Sequence, residues 1–567
     1  MVAYLAALDV GQGPERLALL REAARGAEGW RIAVDQPGAL IMVRGDTPVR
    51  TLQAGRGWLI GDLYRAGRPV GGEPPSVRIS QALPGVEVAR DLCAHFWGRY
   101  VGLIHEAGGG VMIFRDPSGA VEAMRWQVGP VVMVGSELPD WLPAVYSPDL
   151  SIDWSAVARW LVSSSAAAVQ SGLAGLTSVT PGALQGREGD ELQLWRPQQF
   201  ARQGAPDMEA LPDLLDQCVG ALASGSAAIQ AEISGGLDSS ILTASLARVA
   251  GGKVREWINY HAADGQGDER LYARQVAALW DLPLVEAVKP PFAMTPEALE
   301  AGAAGLRPGF TALDGQRDLD GAARALALGA DRVFTGQGGD MVFFQTPTPV
   351  LAADYIRARG LAGVASPYLL EVARWTRRSV WSLTSCAFDA RAAWTGEASV
   401  AGHPWMEAAG DLPPAKRAHI AHLAQKLAIH IDNQRSRVAE VVHPLICQPM
   451  MERWLAIPAD QLTLGGRDRG LARAVFGERL PPAIRDRRGK GELTGYYGRG
   501  VAASLPWTRS YLLDGRLAAE GLIDRARFEH VLTPEHQIWR GDAYLVLTTL
   551  TVEAWVRRWE GACRASR

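Results

Sequence analysis

The sequence predicts a two-domain protein of mixed class, α/β plus α+β: an antiparallel β-sandwich first, then a parallel-sheet domain with a helical C-terminal part. Three observations predict it. The chain has 567 residues, too many for one ordinary core, and its 48% hydrophobic and 21% charged residues are a globular balance. Residues 1–205 are rich in glycine and short apolar runs, at 40–43, 57–60, 100–104, 111–114 and 131–134, and such runs read as stacked antiparallel strands. From residue 211 the period changes. A helix over 211–222, a strand ending at Ile233, a following helix, a strand over 254–260, a helix over 268–280 and a strand over 282–288 give repeated βα units. A helix over 318–328 and a strand over 332–335 continue them. This alternation builds a largely parallel sheet with its ligand at the carboxyl ends of the strands.

Beyond about residue 350 the pattern is mostly helical. Trp375, Trp381, Trp394, Trp405, Trp454, Trp507, Trp539, Trp555 and Trp559 stand there in amphipathic surroundings. Most are expected in the core, because large aromatics dominate packing, and a minority would line a groove for a peptide. The division into domains is placed at 1–205 and 206–567.

Composition narrows the partners. A net charge of −3 leaves no electrostatic footprint for nucleic acid or an anionic membrane, so neither is expected. Five cysteines, Cys93, Cys218, Cys386, Cys447 and Cys563, lack CxxC spacing and suggest neither a disulfide framework nor a zinc site. A reducing, cytoplasmic setting fits them. The first residues show no basic export signal, and no apolar run reaches membrane-spanning length.

The most informative stretch is Ala-Glu-Ile-Ser-Gly-Gly-Leu-Asp-Ser-Ser at 231–240, lying between the strand and the helix just described. Amides freed by Gly235 and Gly236 would close around phosphate oxygens at a helix N-terminus, where the dipole favours an anion. Ser234, Ser239 and Ser240 add hydroxyl donors. Asp238 repels phosphate directly and is better suited to hold Mg²⁺, which prefers hard oxygen ligands and bridges to phosphates. The alternative is a Gly-Gly turn capped by serines. The whole string resembles the PP-loop of the ATP pyrophosphatases, and no Walker A string competes with it.

Further strings follow in order: Asp268-Glu269, Gly336-Gln337-Gly338-Gly339-Asp340, Glu440 ahead of His443-Pro444-Leu445, and Arg485-Asp486-Arg487-Arg488-Gly489-Lys490-Gly491. Together with the loop they resemble the synthetase domain of the asparagine synthetase superfamily over roughly residues 210–510. The first domain is similar to that superfamily's glutamine amidotransferase domain, through Gly61-Asp62-Leu63-Tyr64, Phe114-Arg115-Asp116-Pro117-Ser118-Gly119, and Pro181-Gly182 ahead of Trp195-Arg196-Pro197.

The departures from that pattern carry the functional expectation. The amidotransferase nucleophile is an N-terminal cysteine, whereas position 2 here is Val2 and the nearest cysteine is Cys93. Arg65 stands where the family holds glutamine with Asn, and Trp97-Gly98 where it has Asp-Gly. Glutamine hydrolysis is therefore not expected, and the amine must come from elsewhere. Superfamily members without the cysteine resemble β-lactam synthetases and lasso peptide cyclases, in which an amine of the same substrate attacks an adenylated carboxylate. The β-lactam enzymes carry a Tyr where this chain has Gln337, which cannot take a proton. Gly-Gln-Gly-Gly-Asp-Met-Val-Phe and the string Gly-Gly-Arg-Asp-Arg-Gly-Leu-Ala-Arg at 465–473 look most like lasso cyclases. The resemblance implies ATP and Mg²⁺ as cofactors, a leaderless precursor core peptide as substrate and a leader peptidase as partner protein. A small-ring ligase of the β-lactam kind is the alternative.

Carried over by motif, the nucleotide site comprises Ile233, Ser234, Gly235, Gly236, Asp238, Ser239, Ser240, Ile258, Asn259, Gly336, Gln337, Arg469 and Lys490. Asp238 and Asp340 are the implied metal ligands, although Asp340 taken alone reads equally as a helix cap. Lys490 and Arg469 are assigned to the pyrophosphate and its developing charge. The catalytic set is Lys490, Glu440, Asp238 and Asp340, with Glu440 as the remaining candidate base. His443 is read as a structural polar contact. An N-terminal amine has a pKa near 8, so roughly a tenth is already neutral at pH 7 and a dedicated base supplies little. Geometry must supply more, by holding the two peptide ends together.

Overall fold

The computed structural model describes residues 2–9, 14–52, 55–66, 84–106, 110–204, 206–263, 265, 267–290, 292, 294–310, 314–388, 400, 402–407, 409–489 and 494–565. Two six-stranded antiparallel sheets form the first part. One runs Thr177–Ser178, Met124–Val128, Val131–Gly135, Tyr4–Asp9, Ala39–Arg44, Trp30–Gln36. The other runs Glu191–Gln193, Ala183–Gln185, Val111–Arg115, Phe96–His105, Gly57–Arg65, Val49–Thr51.

Strand alternation explains how they stack. Tyr4, Ala6 and Leu8 share a core with Trp58, Ile60, Val101 and Leu103 of the facing sheet. Leu5 and Ala7 turn the other way, into a core with Leu20 and Ala24 of the helix Ala18–Gly26. Behind the second sheet, Leu59, Tyr100, Ile104 and Phe114 pack with Val88, Ala89 and Leu92 of the helix Gly85–His95. The expected sandwich is thus covered by helices on both outer faces. Burial on two faces is why its strands read as continuous apolar runs rather than as alternating ones.

The second sheet system is parallel, in the order Leu284–Val288, Val254–His261, Ile229–Glu232, Arg332–Phe334, Glu440–Val442. The chain starts in the middle strand, Ile229–Glu232, steps outward twice on one side, then returns to add Arg332–Phe334 on the other. Connections therefore diverge between those two central strands, and their carboxyl ends frame a crevice of the kind that binds ligands in open α/β sheets. Four of the five strands lie within two residues of their sequence-based bounds. The fifth, Glu440–Val442, falls where the sequence reads as helical. Three residues carry no periodicity of their own, and the strand forms because Arg332–Phe334 offers a free edge.

The last 200 residues are mostly helical. Trp405, Trp454, Trp555 and Trp559 are buried, Trp375 and Trp507 half-buried, whereas Trp381 and Trp539 are 82% and 80% exposed. Trp394 lies outside the described residues. Among those described, no helix is long and apolar enough to cross a membrane.

A buried quartet of charges joins the sandwich to the parallel sheet. Asp62 and Arg99 come from neighbouring antiparallel strands, Arg332 and Glu440 from the first positions of two parallel ones. Arg332 Nη2 lies 2.7 Å from Asp62, and its Nε 3.2 Å from Glu440. Arg99 pairs with both carboxylates. Burial pushes the Glu440 carboxyl up, but Arg99 and Arg332 outweigh it and hold it at about 2.

This predicts a stability term with a definite pH window. A carboxyl depressed in the folded state stabilises above its unfolded value and loses that contribution as pH falls through the folded one. Glu440→Gln should cost about 3 kcal/mol near neutrality, because two buried guanidiniums then share one carboxylate. Urea titrations at several pH values should show the difference from wild type shrinking from about pH 4.5 towards 2.

Candidate nucleotide site at the switch point

The loop after Ile229–Glu232 is pinned to its neighbour before it turns. Ile233 N–H donates to the Ile258 carbonyl at 2.8 Å, and Asn259 Nδ2 donates to the Ile233 carbonyl at 2.6 Å. Gly235 adopts φ +80°, and a Cβ there would lie 2.6 Å from the Glu269 carbonyl oxygen, so only glycine serves. Gly236 then caps the helix Leu237–Ala250. The serines close the loop on itself. Ser234 Oγ and Ser239 Oγ are 2.8 Å apart. Ser240 Oγ is fully buried and donates to the Gly236 carbonyl at 2.7 Å, bracing the loop from inside rather than facing a ligand.

The turn after Arg332–Phe334 lies directly against that loop. A Cβ on Gly336 would come within 2.6 Å of the Ser239 backbone, and one on Gly339 within 2.8 Å of Asp238 Cβ and Cγ. Backbone contact of this kind places Asp340, the next residue, beside Asp238. Both carboxylates are half-buried. Each carries a cation. Arg469 Nη1 lies 2.8 Å from Asp238 Oδ2, and Lys426 Nζ 3.4 Å from Asp340 Oδ2.

Arg469 is held in place by its own backbone. It takes the left-handed conformation, φ 52°, at the N-cap of Gly470–Val475, and its N–H donates to the Phe344 carbonyl at 3.1 Å. Its other guanidinium nitrogens bind Asp468 at 2.8 and 3.0 Å. Burial lowers its pKa, but Asp238 and Asp468 more than offset that, so it stays a cation.

Gln337 is half-buried, with its N–H 3.3 Å from Thr335 Oγ1. His443 Nδ1 also meets that hydroxyl, at 2.7 Å, and burial drives the imidazole well below its ordinary pKa. His443 thus has the structural contact expected of it. Lys490 lies outside the described residues. Arg487, earlier in the same string, pairs with Glu269 beside the loop at 2.8 Å, and its guanidinium stacks 3.9 Å from the Tyr272 ring.

Glu440 requires a correction. Its strand pairs in register with Arg332, the first residue of its neighbour, whereas Gly336–Asp340 leave that neighbour's far end. At 3.3 Å per residue that separation is about 13 Å. Glu440 is also saturated by Arg99 and Arg332. It is an interdomain anchor and cannot act as base at the site.

The residues fit ATP and Mg²⁺. No group of three metal-ligating side chains occurs among the described residues, and Mg²⁺ asks for no such cage, taking one or two carboxylates and completing its shell with phosphate oxygens and water. Asp238 and Asp340 match that demand, above a loop whose amides open a helix N-terminus. At the adenine end, Asn259 is buried and its Oδ1 lacks a donor, an acceptor of the kind an exocyclic amino group satisfies. Sequence reasoning missed Lys426 and Asp468. Asp468 is legible as the neighbour of Arg469 in a quoted string, whereas nothing in the pattern around Lys426 marks it.

Fold and site together define a nucleotide-dependent ligase built on a parallel sheet with an antiparallel sandwich ahead of it. Residues 210–557 match the asparagine synthase family, and the chain belongs to that family. The family consists of ATP-dependent amide ligases that use Mg²⁺, which makes this chain an enzyme of amide-bond formation. Among curated proteins none matches. A solved structure described as the allosteric regulatory enzyme of purine biosynthesis is 13% identical, covering 52% of this chain and 82% of its own, with a TM-score of 0.19.

Gly336→Ala should weaken ATP·Mg²⁺ binding at least roughly tenfold, read by calorimetry with an unchanged circular dichroism spectrum, because the added methyl displaces the loop. Asp238→Asn and Asp340→Asn should each slow ATP turnover by roughly two orders of magnitude, as expected when a metal's charge neutralisation is lost.

Proposed function

We propose that the enzyme closes a macrolactam ring in a ribosomally made lasso peptide precursor, joining an Asp or Glu side chain to the peptide's own N-terminal amine. The carboxylate oxygen attacks the α-phosphorus of ATP, giving an acyl-adenylate and releasing pyrophosphate. The amine then attacks the acyl carbon, the bond from that carbon to the AMP oxygen breaks with its electron pair going to AMP, and the amine's proton passes to water. Mg²⁺ on Asp238 and Asp340 would neutralise phosphate charge. Arg469, and Lys490 by motif, would stabilise charge on the pyrophosphate.

The observation that carries this reading is a pair of carboxylates, Asp238 and Asp340, meeting at the ligase loop beside a first domain with no usable thiolate. Val2 lines the small cavity between the domains, together with Arg99, His430, Glu440 and His443, and no cysteine lines it. Burial pushes the Cys93 thiol up to about 12, and in the following domain a hydrogen bond with Cys447 together with burial raises Cys218 well above its ordinary value. A thiolate nucleophile is not available at neutral pH from either. Without ammonia from glutamine, an amine carried by the substrate is the simplest acceptor. Exposed Trp381 and Trp539 are the candidates for contact with the peptide. A leader peptidase that supplies the freed N-terminus is the proposed partner.

Purified protein with ATP, Mg²⁺ and synthetic leaderless core peptides, alone and with a peptidase, should yield AMP and a peptide lighter by one water. Mass spectrometry and nucleotide chromatography read both. AMP formed with small amino-acid derivatives and with no peptide would replace this assignment by a small-ring ligase.

A further inference from the structure

Lys426 ends the helix Pro414–Lys426, whose preceding turns are buried. Its ammonium reaches 3.4 Å from Asp340 Oδ2, with its side chain 23% exposed. Other cations nearby have carboxylates that stay with them. Arg435 is fixed on Asp318 at 2.6 Å and also on Glu232, and Arg99 is fixed on Asp62 and Glu440. Arg469 would share Asp238 with the metal but keeps Asp468, whereas the carboxylate beside Lys426 is one that metal binding would take over. Once Mg²⁺ sits on Asp340, the lysine faces a divalent cation and requires a different anion.

Sheet order indicates which anion. Across the carboxyl ends, inward from the edge strand Leu284–Val288, come the strand Val254–His261 with Asn259, the loop Ile233–Gly236, the Gly336–Asp340 turn, and last the edge strand Glu440–Val442 that leads to His443. Lys426 belongs to the last position, near enough to His443 to depress its pKa electrostatically. The triphosphate cradle and its cation Arg469 stand on the other side of Asp340, with Asp238. His422, one turn back on the same helix, is held at about 4 by burial, so Lys426 is the cation of that helix at this end of the site. The reaction brings one further anion there.

We propose that Lys426 binds the substrate carboxylate that is to be activated, presenting it to the α-phosphorus from the side of Asp340 opposite the triphosphate cradle. The proposal rests on the reading above, that a carboxylate is adenylated. It makes Lys426 a specificity residue: a neutral amide of the same shape offers it no charge, and a charge-assisted bond is about twice as strong as a neutral one. In the unliganded enzyme the same lysine neutralises Asp340, and nucleotide loading hands it over to the substrate.

The test uses the full chain, ATP and Mg²⁺, and a library of synthetic peptides, each with a free N-terminal amine and a single Asp or Glu. Lys426→Met should raise KM for the peptides the wild type accepts by roughly tenfold or more, leave KM for ATP·Mg²⁺ within about threefold, and keep the thermal melt. Lys426→Arg, which keeps the charge, should recover most of the lost peptide affinity. If KM for ATP·Mg²⁺ rises instead and the peptide KM does not, the lysine serves the nucleotide and the proposal is wrong. If Lys426→Arg is as poor as Lys426→Met with both variants folded, recognition by charge is also ruled out. A wild-type enzyme that forms AMP with no carboxylate at all would overturn the adenylation reading and this proposal together, a result distinct from the other two.

Discussion

Gly336 lets the turn that follows Arg332–Phe334 rest directly on the backbone of the first turn of the helix Leu237–Ala250, and Gly339 leaves room for the Asp238 side chain between them. The site depends on that approach. Asp238 and Asp340 belong to segments about a hundred residues apart in the chain and to different strands of the sheet, and a methyl group at either glycine would force them apart. Gly235 performs the same service on the other flank, where the loop meets Glu269. Glycine costs chain entropy at each of these positions, and the fold accepts that cost where three backbones must converge on one small volume.

Charge is organised along the strand direction of the parallel sheet. At the amino ends, Arg332 and Glu440 are locked with Asp62 and Arg99 in a buried quartet that holds the sandwich in place. At the carboxyl ends, Asp238 holds Arg469 in a pair about as buried as the quartet, whereas Asp340 holds Lys426 in a pair that is partly open. The two ends differ in what they permit. A saturated, buried network resists exchange because removing one partner strands the rest. A partly exposed pair such as Lys426–Asp340 gives up its partner at small cost when a stronger one arrives.

The first domain remains closely packed on the ligase. Arg307 donates to Ser178 at 2.6 Å, Trp195 to Glu452 at 2.8 Å and Trp405 to the Pro181 carbonyl at 3.2 Å, while Trp160 meets Trp555 edge-on at 4.9 Å. These contacts bury large aromatics and a guanidinium across the seam. They give the sandwich a physical task as a wall of the ligase core, whatever chemistry its interior lacks.

The amino-acid sequence by itself determined the elements and the phosphate-gripping end of the site. Periodicity placed four of the five parallel strands, because runs of four to eight apolar residues bounded by glycine and polar turns have few alternative structures. The Gly-Gly-Leu-Asp spacing singled out Gly235, Gly236 and Asp238 as a phosphate-gripping loop, and the family resemblance added Gly336 and Asp340. Only the tertiary structure decided the rest. Glu440 lies in a string that reads as part of the site, yet a three-residue edge strand turns it towards the opposite end of the sheet, where two arginines saturate it. Lys426 has no motif and reaches Asp340 because a buried helix happens to end there. Local sequence encodes backbone conformation and short-range spacing, whereas the meeting of two side chains 86 positions apart depends on how every intervening element packs.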